Sequence, residues 1–203
     1  MSHPRVSVLL VPLFFSVALI AGCAGTGASS QDGGTVSSAD AEKKKTALRK
    51  LRTDTLEDFY ETKPELRAEV EKAVGYAVFD ASQVNLVLFV GGLGGGVLVD
   101  NRNKKETFMK MTRVGTGPGV GYKSFRQLMV FKDKSLFETF QTVGADVGAS
   151  ADATMKIGGK GVAIAPNTSF NPLLSVYQIT DRGALLQANW GGVAYLPDAA
   201  LNR

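Results

Sequence analysis

Residues 75–100 read GYAVFDASQVNLVLFVGGLGGGVLVD. Tyr76 to Asp80 and Asn85 to Val90 are rich in β-branched and aromatic residues and alternate with a period of two, so both are predicted strands. A glycine run, Gly91 to Gly96, follows and leads into a third strand, Val97 to Asp100. On an extended chain Gly92, Gly94 and Gly96 share one face, as do Gly115, Gly117, Gly119 and Gly121. A strand face without side chains admits a helix, another strand or a ligand close to the backbone. Packing is the favoured reading, with a slot for an acyl chain as the alternative.

Working outward, Asn101 to Lys105 is a polar hairpin tip, Glu106 to Val114 returns, and Arg126 to Lys132 carries the apolar run Leu128–Phe131, short enough for a buried strand. Ser135-Leu136-Phe137-Glu138 reads as a capping box that opens a helix, with Leu136, Phe137 and Phe140 inward and Gly144 as the stop. Val147, Ala149, Ala151, Ala153, Met155 and Ile157 alternate with small or polar residues, predicting a half-buried strand that Gly158-Gly159 turns into Val162 to Ala165. A last hairpin is predicted from Val176–Thr180 to Ala184–Trp190 through Asp181-Arg182-Gly183.

Towards the N-terminus the period changes. Leu48, Leu51, Thr55, Leu56 and Phe59 recur at three and four and form one helical stripe. Thr62 is a plausible N-cap for a second helix with Pro64 in its first turn and Leu66, Val70, Ala73 and Val74 inward, ended by Gly75. The expected class is α+β: a mainly antiparallel sheet with N-terminal helices and one short mid-chain helix.

Residues 1–22 read as a lipoprotein signal peptide: Arg5 as the positive region, Val6 to Ile20 as a short apolar core interrupted by Pro12, then small residues before Cys23. Leu19-Ile20-Ala21-Gly22-Cys23 resembles the bacterial lipobox, in which the cysteine is acylated. Ala24 in place of aspartate then implies sorting to the outer membrane, facing the periplasm. Residues 23–41 are the acylated Cys23 and a Gly/Ser/Thr/Ala tether, reaching roughly 20–25 Å as a flexible coil. Residues 42–203 form the folded domain.

Composition narrows the chemistry. The chain has 203 residues, 44% apolar and 21% charged. Of its 23 Lys and Arg only Arg5 precedes residue 23, which leaves 22 against 19 Asp and Glu, too balanced to argue for nucleic acid. The sole histidine is His3 and the sole cysteine Cys23, so beyond the signal no imidazole or free thiol remains for a catalytic triad, a Cys–His pair or a histidine-ligated metal. Asp146 and Asp152 read as surface charges on the predicted strand. Gly92-Leu93-Gly94-Gly95-Gly96-Val97 lacks the last glycine of the dinucleotide fingerprint, and Gly121-Tyr122-Lys123-Ser124 lacks the contiguous Gly-Lys-Ser of a phosphate loop. The reading is a non-enzyme without cofactor or metal.

One charged feature has a direction. Lys43, Lys44, Lys45, Arg49, Lys50 and Arg52 place six cations in ten residues just after the tether. Beside an anionic leaflet each can contribute about 1 kcal/mol, and stable attachment combines an acyl chain with such a second signal. Lys44 and Arg52 fall on the apolar stripe and must snorkel. Arg102, Lys104 and Lys105 with Lys156 and Lys160 make a second basic patch if their hairpins lie on one side.

Five segments in succession resemble the SYLF domain: Gly75–Asp80; the Gly91–Gly96 run into Val97-Leu98-Val99; Leu128–Phe131 with its short helix; Gly144-Ala145-Asp146-Val147; and Asp181-Arg182-Gly183-Ala184-Leu185. The resemblance covers roughly residues 45–200. That family includes actin- and lipid-binding proteins and many bacterial lipoproteins, and the resemblance implies a non-catalytic lipid-binding module whose binding region matches residues 43–60. The chain departs from the family pattern at Gly115–Lys123 and after Trp190. The expectation is an outer-membrane lipoprotein that engages anionic phospholipid through its basic first helix. The alternatives are an envelope scaffold binding a protein partner and, third, a carboxylate-based hydrolase.

Overall fold

The computed structural model describes residues 37–147, 154–157, 160–163, 173–182, 185–187 and 190–203, all within one compact unit, Thr35–Arg203. Cys23 and the tether up to residue 36 lie outside the described residues. The fold is α+β, with its strands joined in antiparallel ladders.

Helix α1 is Ser38–Thr62, 25 residues and so about 37 Å long. It begins inside the stretch assigned to the tether, because the Ser37 hydroxyl accepts from the Asp40 amide at 3.1 Å and caps it. The predicted stripe is the buried one: Leu48, Thr55 and Phe59 are buried, while Leu51 and Leu56 pack beside them. Thr62 does not cap the next helix; it closes α1, its hydroxyl donating back to the Asp58 carbonyl. Helix α2, Glu65–Lys72, starts after Pro64.

The sheet differs from the expected set of short strands. Strand β1 runs unbroken from Gly75 to Asp100 and β2 from Glu106 to Phe131, joined by the predicted tip at 101–105. The glycine run lies inside β1. Between the pairs Val87–Gly119 and Phe89–Thr116, β1 has one residue, Leu88, and β2 has two, Gly117 and Pro118, so the extra residue is on β2; Val87 takes a positive φ of 57°. At this bulge the long hairpin doubles back on itself. Residues 75–87 with 119–131 form a first leaf, and 89–100 with 106–116 a second.

The glycines explain how the leaves meet. A β-carbon on Gly96 would stand 2.5 Å from the Val78 carbonyl oxygen, one on Gly94 2.5 Å from that of Asp80, and one on Gly92 2.9 Å from that of Ser82. The bare face predicted for these three residues is therefore occupied by the chain's own first leaf. It is a packing surface, not an acyl slot.

Strands β6 (Leu174–Arg182), β7 (Leu185–Gln187) and β8 (Trp190–Pro197) all pair with β2, in order along its length. The predicted hairpin of Val176–Thr180 with Ala184–Trp190 is thus not formed: β6 and β7 both pair with β2 rather than with each other, and Gly183 lies outside the described residues. Of the alternating run from Val147 to Ile157, Val147 ends β3 (Ala145–Val147) and residues 154–157 form β4 (Thr154–Ile157), and these two pair with each other instead of forming one strand; residues 148–153 lie outside the described residues. Strand β4 pairs with β5 (Lys160–Ala163), which starts two residues before the predicted Val162; the predicted turn residues Gly158-Gly159 and the end of the predicted strand lie outside the described residues.

Between the leaves lies the main core, including Ala77, Phe79, Leu98, Met109, Met111 and Phe125. Helix α3, Lys134–Val143, adds Leu136, Phe137 and Phe140, as its pattern predicted, though its cap is the Asp133 carboxylate, which accepts from the Leu136 amide at 2.8 Å. Gly144 ends it with φ 79°, against the Tyr195 carbonyl. Outside the leaves, the C-terminal half of α1 and helix α2 cover Val78, Leu128 and Val130, and its N-terminal half covers Val97, Val99 and Phe108.

Candidate functional site

The basic helix is held down by carboxylates. Arg49 Nε and Arg52 Nη1 reach the two oxygens of Glu106 at 2.7 and 2.6 Å. Burial by itself raises the Glu106 carboxyl, but the hydrogen bonds and charges of these two arginines outweigh it and hold the group below the usual glutamate range. Lys44 bonds Asp198 at 3.3 Å, Lys45 bonds Glu42 at 2.8 Å, and Lys50 bonds Asp54 at 2.6 Å. Lys45 and Arg49 also lie over the Phe108 ring, 5.8 and 5.3 Å from its centre. Of the six cations Lys43 alone makes no ion pair among the described residues. The cluster fastens α1 to the base of the second leaf.

The second predicted patch spans two hairpins. Arg102 is bound by Asp100 at 2.7 Å and Glu138 at 3.2 Å. Lys104 and Lys105 are exposed at the hairpin tip. Lys156 and Lys160 belong to β4 and β5, separated from β2 in the sheet order by β8 and β3, and their side chains lie outside the described residues. The structure does bring Lys45 and Lys105 together: both line a cleft of about 480 Å³ that also receives Gln141, Asn202 and Arg203.

The opposite end of the leaves has a different character. Past the reach of α1 and α2, the outer face of the first leaf continues as Val84, Leu86, Val120 and Tyr122, which are ladder partners in two pairs, Val84 with Tyr122 and Leu86 with Val120. All four are exposed, Leu86 by 62% and Val120 by 66%. Val87, Leu88 and Phe89 at the bulge are exposed as well, as are Leu93 and Val114 on the outer face of the second leaf. Isolated exposed aliphatics are ordinary, whereas a contiguous set marks an interaction surface.

The inner face here is polar. Gln83 and Asn85 are 3% and 1% exposed and hydrogen-bonded to each other at 2.9 Å. Beside them on the inner face come Lys123, its ammonium 5.1 Å from the centre of the Phe125 ring, and Arg113. At this end of the leaves the apolar side chains are on the outer face and the polar ones on the inner face. Sequence alternation shows two faces but not which is outward, so these residues escaped the reading of the chain. A signal was present in the charges: residues 81–99 carry none, and residues 107–125 carry only Lys110, Arg113 and Lys123, all positive.

No helix among the described residues is long and apolar enough to cross a membrane. No family model matches the chain. It is similar to Beta cell expansion factor A of Aeromonas veronii, with 31% identity over 161 residues, which take in 79% of this chain and 60% of that protein. The match thus spans about three fifths of the curated relative's length.

Proposed function

We propose that this chain is a non-catalytic, lipid-binding module of the SYLF type that attaches to anionic phospholipid surfaces through the bend of its doubled hairpin. The observation that carries this reading is the apolar outer face at Val84, Leu86, Val120 and Tyr122, set in a stretch whose only charges are cations. Burying an exposed leucine or valine is worth roughly 1.5–3 kcal/mol, so a few such residues entering the headgroup region exceed the contribution of a few screened surface lysines. The similarity to Beta cell expansion factor A and the succession of SYLF-like segments support membership of that family. Acylation at Cys23 would hold the domain at an outer membrane, facing the periplasm, and the bend would supply the second attachment.

Vesicle sedimentation of the chain carrying Cys23→Ser tests this. Recovery with phosphatidylcholine vesicles containing phosphatidylglycerol should exceed recovery with phosphatidylcholine alone and should fall to background for Leu86→Glu/Val120→Glu. Undiminished binding by that variant, with its fold intact by circular dichroism, overturns the reading. Salt-insensitive retention of a single envelope protein, lost in the same variant without any lipid effect, would favour the scaffold instead.

A further inference from the structure

Two cations on the inner faces of the leaves have no counter-charge among the described residues. Arg113 continues the inner face that Met109 and Met111 define, and Lys123 continues the one defined by Phe125 and Met129. They sit on different leaves, and Gly92 brings these together: its β-carbon position is 3.2 Å from Arg113 Cβ and 3.6 Å from the Cα of Gln83, the ladder partner of Lys123. Neither side chain forms an ion pair among the described residues, in contrast to Arg102 and Arg126, which each hold two carboxylates. Arg113 Nε is buried and has no hydrogen-bond partner.

The surroundings deepen the imbalance. Burial depresses the Arg113 guanidinium, and burial together with the positive charge of Arg113 depresses the Lys123 ammonium. A fold selected only for stability would place a carboxylate here or dispense with the charges, since an unpaired desolvated cation is costly. Residues 81–99, 107–125 and 184–197 contain no carboxylate, and Asp181 of the neighbouring β6 is held by Arg126 at 2.6 Å. Among the described residues none supplies a negative charge to this pair, and an anion from outside the chain would do so.

We propose that Arg113 and Lys123 form a binding site for a phosphate group, entered between the leaves at their bend. The guanidinium fork suits two phosphate oxygens at once and the ammonium supplies a point charge for a third. The phosphate is either that of a lipid headgroup or a free phosphate monoester. The site stands apart from the membrane reading, because it is defined by inner-face residues and is measured without vesicles.

The test is thermal unfolding of the full chain carrying Cys23→Ser, at constant ionic strength, titrated with inorganic phosphate, with glycerol 3-phosphate, and with dihexanoyl phosphatidic acid below its micelle concentration. Phosphate should raise the midpoint relative to chloride. Arg113→Met and Lys123→Met should each weaken that response by about tenfold or more, the size set by losing one charge-assisted hydrogen bond. Their midpoints without phosphate should stay level or rise, because each removes an unpartnered charge. Tighter binding of dihexanoyl phosphatidic acid than of inorganic phosphate assigns the site to a lipid headgroup; equal binding assigns it to free phosphate. Three results overturn the proposal: no phosphate response in the parent chain, a response undiminished in both variants, which would place the anion in the cleft of Lys105 and Arg203, or a loss of stability in both variants without phosphate.

Discussion

Gly94 lies against Asp80 so closely that a β-carbon would stand 2.5 Å from the Asp80 carbonyl oxygen and 2.8 Å from Ala81 Cβ. The obstacle is mainly backbone, so it cannot rotate away, and Gly94→Ala should lower stability by about 2–3 kcal/mol in urea unfolding. Gly95 faces the other way, with Leu48 Cδ2 at 3.3 Å, the movable end of a side chain. Gly95→Ala should cost less than about 1 kcal/mol. Equal losses at the two positions would contradict the doubling of the hairpin.

Glu106 joins Arg49 and Arg52 of α1 to the start of β2 and is only 20% exposed. Removing it leaves two cations facing each other, and Glu106→Gln should cost about 1–3 kcal/mol near neutral pH. Its pKa in the fold is depressed from 4.5, so its contribution is present above that value and is lost as pH falls through the lower folded value. Urea midpoints of the parent and Glu106→Gln should therefore differ by a constant amount near neutrality and converge in acid.

The ion pairs also change what a charge-removal experiment on the helix reports. Replacing all six cations of residues 43–52 with glutamine removes the Arg49, Arg52 and Lys44 anchors to the sheet and C-terminal segment, and should lower the unfolding midpoint. Lys43→Gln/Lys50→Gln leaves those anchors in place, because Lys50 pairs only with Asp54 of its own helix and Lys43 with nothing described. That double variant should keep its midpoint within about 0.5 kcal/mol of the parent and weaken binding to phosphatidylglycerol vesicles only slightly.

What the sequence made legible divides along physical lines. Local signals held: the stripe from Leu48 to Phe59, the inward Leu136, Phe137 and Phe140, and the tip at 101–105 are as read, because a few neighbouring residues determine each. Gly91–Gly96 looked like an interruption because glycine erases the alternation on which strand assignment rests, although the leaf opposite needs those side chains to be missing. Asp181-Arg182-Gly183 has turn chemistry, but Asp181 bonds Arg126 at 2.6 Å, and the strands on either side both pair with β2 instead of each other. The basic cluster was visible while its partner was not, since Glu106 lies 57 residues from Arg49. Val84 and Leu86 alternate with Gln83 and Asn85 as in any strand, and only the placement of α1 and α2 decides that the apolar set is the uncovered one.

Val87 joins the fold and the proposed function at one position. It is a β-branched residue at φ 57°, beside the bulge, and 66% exposed. Left-handed backbone costs such a residue about 1–3 kcal/mol, whereas asparagine tolerates it. The strain is not offset by burial, because the side chain points into solvent. Val87→Asn should therefore raise the unfolding free energy by about 1 kcal/mol while reducing recovery on phosphatidylglycerol vesicles, since it trades apolar surface at the bend for an amide. A variant that is more stable and still binds vesicles as well as the parent would remove Val87 from the lipid-facing surface; one that is less stable would show that the valine is held there by packing.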